Sequence, residues 1–122
     1  MHEASLVRTL LQKVSDLLTE HRGVRVETIT VELGPLSGVE PLLVQSAFEE
    51  LSLQSSLAGA KLVLQEIGLG AKCRHCHADF EIQKFKFVCP ACGSTDVQVV
   101  YGDEFRLLSI TIEQSLTDQA SV

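Results

Sequence analysis

Four cysteines, Cys73, Cys76, Cys89 and Cys92, fall inside 20 residues as two Cys-x-x-Cys pairs twelve residues apart, and the rest of the chain contains none. Two residues between thiols let one tight turn present both sulfurs to a single ion. The turn's backbone N–H groups can then hydrogen-bond the thiolates, and two facing turns close a tetrahedron. Pro90 and Gly93 supply the chain reversal of the second turn. An all-thiolate set favours Zn²⁺, with iron as the competitor, and leaves no position for water or substrate, so the expected site is structural. His75 and His77 flank the first turn, either as exposed polar residues or as groups that orient or exchange onto the ion. Met1–Leu6 has no basic stretch followed by an apolar one, so no secretory signal is expected, and clustered thiols then point to a reduced cytoplasm and a metal rather than disulfides.

A second candidate site lies at the start of the chain, in Met1-His2-Glu3. A terminal amine, the next amide nitrogen and an imidazole at residue two can chelate one ion through adjacent small rings. Deprotonated amide nitrogen with imidazole suits square-planar Ni(II) or Cu(II), and a carboxylate can complete the set. A large second residue such as His2 keeps Met1 in place, so the register is expected to survive. Nothing in the chain makes a nucleophile–base pair, a carboxylate dyad or a GxxxxGK[ST] phosphate loop, so no enzyme is expected.

The elements that must position these residues can be read from periodicity. Leu6, Leu10, Val14 and Leu17, widened by Val7, Leu11 and Leu18, make residues 4–21 an amphipathic helix, with Gly23 as its expected stop. Residues 24–33 alternate as a strand with Ile29, Val31 and Leu33 on the core face. A second helix is expected from Glu40, with Pro41 in its first turn and Leu43, Val44, Ala47, Phe48 and Leu51 as its apolar face. Residues 60–67 read as a second strand. After the cysteine segment, 104–113 read as a third, with Leu108, Ile110 and Ile112 on one face. Residues 80–88 alternate well enough for one strand of a cysteine-bearing hairpin.

The expected fold class is therefore α+β: two helices packed on a three-stranded sheet, with an inserted zinc-ribbon domain. The expected domains are 1–69 with 100–113, 70–99 as the ribbon, and 114–122 as a mobile tail. Length fits this division, since 122 residues can bury a real core. A net charge of −6 argues against a protein that holds nucleic acid through phosphates, although residues 70–99 are faintly basic. No apolar run approaches the about 18 residues needed to span a bilayer. Four thiolates around one Zn²⁺ would take the charge to about −8.

Met1-His2-Glu3, the paired cysteine turns, Cys92-Gly93-Ser94, Ser46-Ala47-Phe48-Glu49 and the run from Gly102 to Ile110 together resemble the HypA/HybF family of nickel metallochaperones of [NiFe]-hydrogenase maturation. The likeness covers about residues 1–113. It implies His2 as principal nickel ligand with the Met1 amine, Glu3 tuning or completing the site, and Cys73, Cys76, Cys89 and Cys92 on structural zinc. Glu40 occupies a position where some members place a carboxylate near nickel; its other reading is the cap of the second helix. The family's partners are a HypB-type GTPase and the hydrogenase large subunit, with urease maturation proteins for some members. A homodimer is left open, and neither nucleic acid nor membrane is expected. The alternatives are a zinc-ribbon nucleic-acid-binding accessory protein and an iron electron carrier of rubredoxin type.

Overall fold

The computed structural model describes residues 2–114, leaving outside them Met1, the His2 side chain and the expected tail beyond Gln114. The elements are α1 (His2–Glu20), β1 (Gly23–Leu33), α2 (Pro41–Ser52), β2 (Lys61–Glu66), β3 (Gly70–Cys73), β4 (Asp79–Glu81), β5 (Val97–Tyr101) and β6 (Phe105–Gln114). They form two three-stranded sheets, ordered β2-β1-β6 and β4-β3-β5. The described residues divide into two compact units, one of 2–31, 40–64 and 107–114, the other of Glu32–Val39 and Gln65–Arg106.

In the first unit α1 packs against α2. Helix α1 buries Val7, Leu10, Leu11, Val14 and Leu18, the stripe its three-and-four spacing dictates. Each such side chain contributes roughly 1.5–3 kcal/mol when fully buried. The helix stop differs from expectation. Arg22, not Gly23, takes the left-handed conformation (φ 55), and its N–H closes onto the Thr19 carbonyl at 3.1 Å. Gly23 instead begins β1, where a Cβ would meet Leu18 Cδ1 at 2.6 Å and Ile112 Cδ1 at 3.1 Å. It is glycine because helix and sheet close on it.

Helix α2 begins at Glu40, an N-cap in extended conformation whose carboxylate accepts the Leu42 N–H at 3.3 Å, with Pro41 in the first turn. Its buried row is Val44, Phe48 and Ser52, spaced by four. Leu43 was expected on that face but lies off the row, exposed beside Leu42. Ile29, Val31 and Leu33 of β1 are buried as their alternation requires. In β6 Ile110 and Ile112 are half-buried, whereas Leu108 faces solvent; the inward set changes parity between Leu107 and Ile110. The cross-strand pairs Arg25–Glu113 (2.7 Å) and Glu32–Arg106 (3.2 Å) run in opposite chain directions, making β1 and β6 antiparallel.

The second unit holds the cysteine segment. Strand β3 pairs antiparallel with β4 and with β5. Leu69, Ala71 and Ile82 form its small core, with Phe80, Phe87, Val97 and Val99 packed against them. The strand expected over 80–88 is only Asp79–Glu81. The chain leaves the ladder at Ile82 and reverses over Gln83–Lys86, where the Lys86 N–H donates to the Gln83 carbonyl at 3.0 Å and Lys84 (φ 53) and Phe85 (φ 57) are both left-handed. This is a type I′ turn without the asparagine or glycine that turn type prefers. Each left-handed non-glycine residue costs roughly 1–2 kcal/mol. Gly102 (φ 100) closes the unit's other end: a Cβ there would strike the Gly68 carbonyl and Leu69, and its own carbonyl accepts the Leu36 N–H at 2.8 Å.

Candidate metal centre

The two Cys-x-x-Cys segments fold into near-copies of one turn. In the first, the His77 N–H donates to the Cys73 carbonyl (3.0 Å) and the Cys73 N–H to the Ala78 carbonyl (2.9 Å). In the second, the Gly93 N–H donates to the Cys89 carbonyl (2.8 Å) and the Cys89 N–H to the Ser94 carbonyl (2.9 Å). The residue after each second cysteine is left-handed, His77 at φ 65 and Gly93 at φ 77. Glycine adopts that conformation freely and histidine does not. His75 and His77 are both exposed. Arg74 links the first turn to the start of β5, its N–H donating to the Asp96 carbonyl at 2.9 Å and its guanidinium lying 3.5 Å from the Asp96 carboxylate.

The turns bring all four sulfurs within 4.8 Å of one another. A regular tetrahedron with Zn–S bonds of about 2.3 Å sets sulfurs about 3.8 Å apart. Cys73 Sγ and Cys92 Sγ, and likewise Cys76 Sγ and Cys89 Sγ, stand at 3.6 Å, so the donor set fits a tetrahedral ion. The His75 and Cys76 N–H groups point at Cys73 Sγ at 3.3 and 3.4 Å, the arrangement that stabilises a thiolate. Each turn contributes one buried cysteine, Cys73 or Cys89, and one exposed one, Cys76 or Cys92.

Crowding four thiols without a cation separates their acidities. Cys73 is lowered to about 6, chiefly by the Cys76 N–H working against desolvation, with the His75 N–H adding. Cys92 is pushed up to about 12: the Ser94 N–H lowers it, but desolvation and the three facing sulfurs outweigh that. Cys76 also rises, the Ala78 N–H being outweighed by Cys89 and desolvation. Cys89 falls, because the N–H groups of Cys92 and Ala91 overcome desolvation. The cluster can shed its protons together only against a positive charge at its centre.

The other expected site residues lie in the first unit. His2 is the first residue of α1. Glu3 follows, 7% exposed, and its Oε2 accepts the Glu40 N–H at 3.2 Å. The fold thus joins Glu3 to Glu40, while the Met1 amine and the His2 side chain lie outside the described residues. Glu40 takes the cap position of α2, and its N–H adjoins the start of α1. Strand β5 went unrecognised in the sequence, although Val97-Gln-Val-Val-Tyr101 carries its own strand signal of β-branched and aromatic residues.

Comparison with known proteins bears on all of this. The family profile described as "Hydrogenase/urease nickel incorporation, metallochaperone, hypA" matches residues 1–112. The chain is 34% identical to the hydrogenase maturation factor HypA of Shewanella oneidensis over 115 residues, covering 94% of this chain and 98% of that one. It is likewise 34% identical to the factor of the same name from Aquifex aeolicus, covering 93% and 98%. Among solved structures, the fold superposes on the solution structure of the Ni metallochaperone HypA from Helicobacter pylori (TM-score 0.72, 26% identity, 94% of this chain and 100% of that one). A second solution structure of a HypA protein superposes with a TM-score of 0.76 at 27% identity, covering 94% and 98%.

Proposed function

Because the chain belongs to the HypA family, a family of nickel-incorporation metallochaperones and not of enzymes, we propose that it binds Ni(II) at its N-terminus and delivers it to the large subunit of [NiFe]-hydrogenase. His2 is the principal ligand, with the Met1 amine and adjacent backbone nitrogen, and Glu3 and Glu40 complete or tune the set. The nickel is cargo. Cys73, Cys76, Cys89 and Cys92 hold a resident Zn²⁺, which fixes the second unit and takes no part in transfer chemistry. The first unit is then the nickel domain and the second the zinc ribbon. Delivery proceeds in the cytoplasm with a HypB-type GTPase, which supplies the nucleotide hydrolysis. Among the described residues no helix is long and apolar enough to cross a membrane.

The observation that supports this reading best is the Glu3–Glu40 contact, which brings two of the proposed ligand residues together at the start of α1. A carrier must also release its ion. Ligands contributed by the first residues of a chain can be exchanged one at a time, and because a protonated imidazole cannot ligate, nickel binding is expected to weaken in acid. The test is calorimetric titration of Ni(II) into untagged protein, with zinc measured in parallel. His2→Ala is expected to abolish specific nickel binding while leaving zinc content unchanged. Equal nickel affinity in the two proteins overturns the site.

A further inference from the structure

We propose that the Lys84–Phe85 tip of the cysteine-bearing unit is a docking element for a partner protein that presents an apolar pocket rimmed by carboxylates. Three observations converge on it. The tip is a type I′ turn built from two residues that disfavour it, with φ values of 53 and 57. Asparagine and glycine would relieve that turn, and strain of this kind persists where the held geometry is used. Phe85 is 59% exposed, although a side chain of its size ordinarily serves a core or an interface. Beside it lies an open recess of about 160 Å³ lined by Pro35, Gly68, Leu69, Ile82, Lys84 and Phe85 itself. The turn fixes the backbone on which the aromatic anchor is carried, so less freedom is lost on binding.

Charge selects the occupant. Lys84 and Lys86 flank Phe85, and the Glu81 carboxylate beside Gly68 accepts the Gln83 amide at 2.8 Å, in a chain whose net charge is −6. Carboxylates are drawn to this tip and repelled by the chain's net charge, which orients the encounter. A nucleic acid would meet the same net repulsion with only two lysines to offset it. The inference rests on the carrier reading above, because the partner it fits is one of the proteins in the nickel hand-over.

The test uses the zinc-loaded full chain and the double variant Lys84→Asn/Phe85→Gly, which installs the preferred turn. Its thermal midpoint is expected to rise by about 5 °C, so lost binding cannot be laid to misfolding. Binding to the purified HypB-type GTPase and to the purified hydrogenase large-subunit precursor is measured by calorimetry at two salt concentrations. The expected result is that wild type binds one of them, more weakly at high salt, and that the variant binds it at least about tenfold more weakly with an unchanged Ni(II) titration. Equal binding of both forms overturns the docking assignment and leaves the carrier reading standing. Wild-type binding to neither protein overturns both. A variant that loses only binding to single-stranded DNA, or only self-association, assigns the tip to that occupant and overturns the proposal.

Discussion

The backbone N–H of Glu40 donates to the Glu3 carboxylate at 3.2 Å, joining residues 37 apart in sequence. Glu40 caps α2 with its own side chain while its main chain is held by the second residue of α1. The start of one helix is thereby tied to the start of the other, and any change in what Glu3 binds is felt at the cap of α2.

Glu3→Ala is therefore expected to destabilise the protein by about 1–2 kcal/mol, because it strips a charged acceptor from a part-buried N–H. Glu3→Gln keeps an acceptor oxygen and is expected to cost less than half as much. Denaturant unfolding followed through the helical circular-dichroism signal measures both; equal losses would show that charge, not the acceptor, matters.

The two cysteine turns differ at one equivalent position, His77 against Gly93, both left-handed. Gly93→Ala is expected to lower the stability of the metal-loaded unit by about 1 kcal/mol. His77→Gly is expected to raise it, by at most about 1 kcal/mol, since glycine's extra freedom in the unfolded chain takes back part of the gain. The denaturant midpoint of zinc release reads out both signs.

Metal uptake by the empty cluster is expected to expel protons. Cys73 is lowered whereas Cys92 and Cys76 are raised, so the cluster as a whole holds protons at neutral pH that the ion displaces. The sign follows: affinity for Zn²⁺ falls as pH falls and rises with pH through the neutral range. Titrations in buffers of different ionisation enthalpy count the protons; a pH-independent affinity would contradict the acidities.

Removing the metal with a chelator, or replacing Cys89 by Ser, is expected to disorder the second unit. Both helices, α1 and α2, lie in the first unit. The far-UV helical signal should therefore persist while amide protection of Gly70–Cys73 and Val97–Tyr101 is lost.

Gly102→Ala is expected to cost about 2–4 kcal/mol, through a left-handed backbone and the clash with the Gly68 carbonyl together. Thermal unfolding checks it, and a cost below about 1 kcal/mol would mean that the Leu36–Gly102 junction yields freely.

How much could be read beforehand follows from where the information lies. Spacing alone brought Cys73, Cys76, Cys89 and Cys92 to one point, because a two-residue gap leaves the chain few ways to turn. Amphipathic spacing gave α1 and the buried face of β1, since both bury one continuous stripe. Leu43 and Leu108 were misplaced for a shared reason: local pattern counts apolar residues but does not say which row a neighbouring element covers. The turn at Lys84–Phe85 escaped because its residues argue for a strand, and only pairing of β3 with β4 and β5 ends that strand early. The Glu3–Glu40 contact is long-range and polar, and no periodicity announces it.

The division of the cysteines into a buried pair, Cys73 and Cys89, and an exposed pair, Cys76 and Cys92, gives the four-cysteine cluster a front and a back. A competing chelator, a reductant or an oxidant arriving from water reaches Cys76 and Cys92 first. Exchange of an ion held there is therefore expected to begin at one of those two cysteines, with Cys73 and Cys89 the last to let go. Resistance to demetallation is set by the accessible half of the cluster, so shielding Cys76 or Cys92 would slow metal loss more than any improvement in the packing around Cys73.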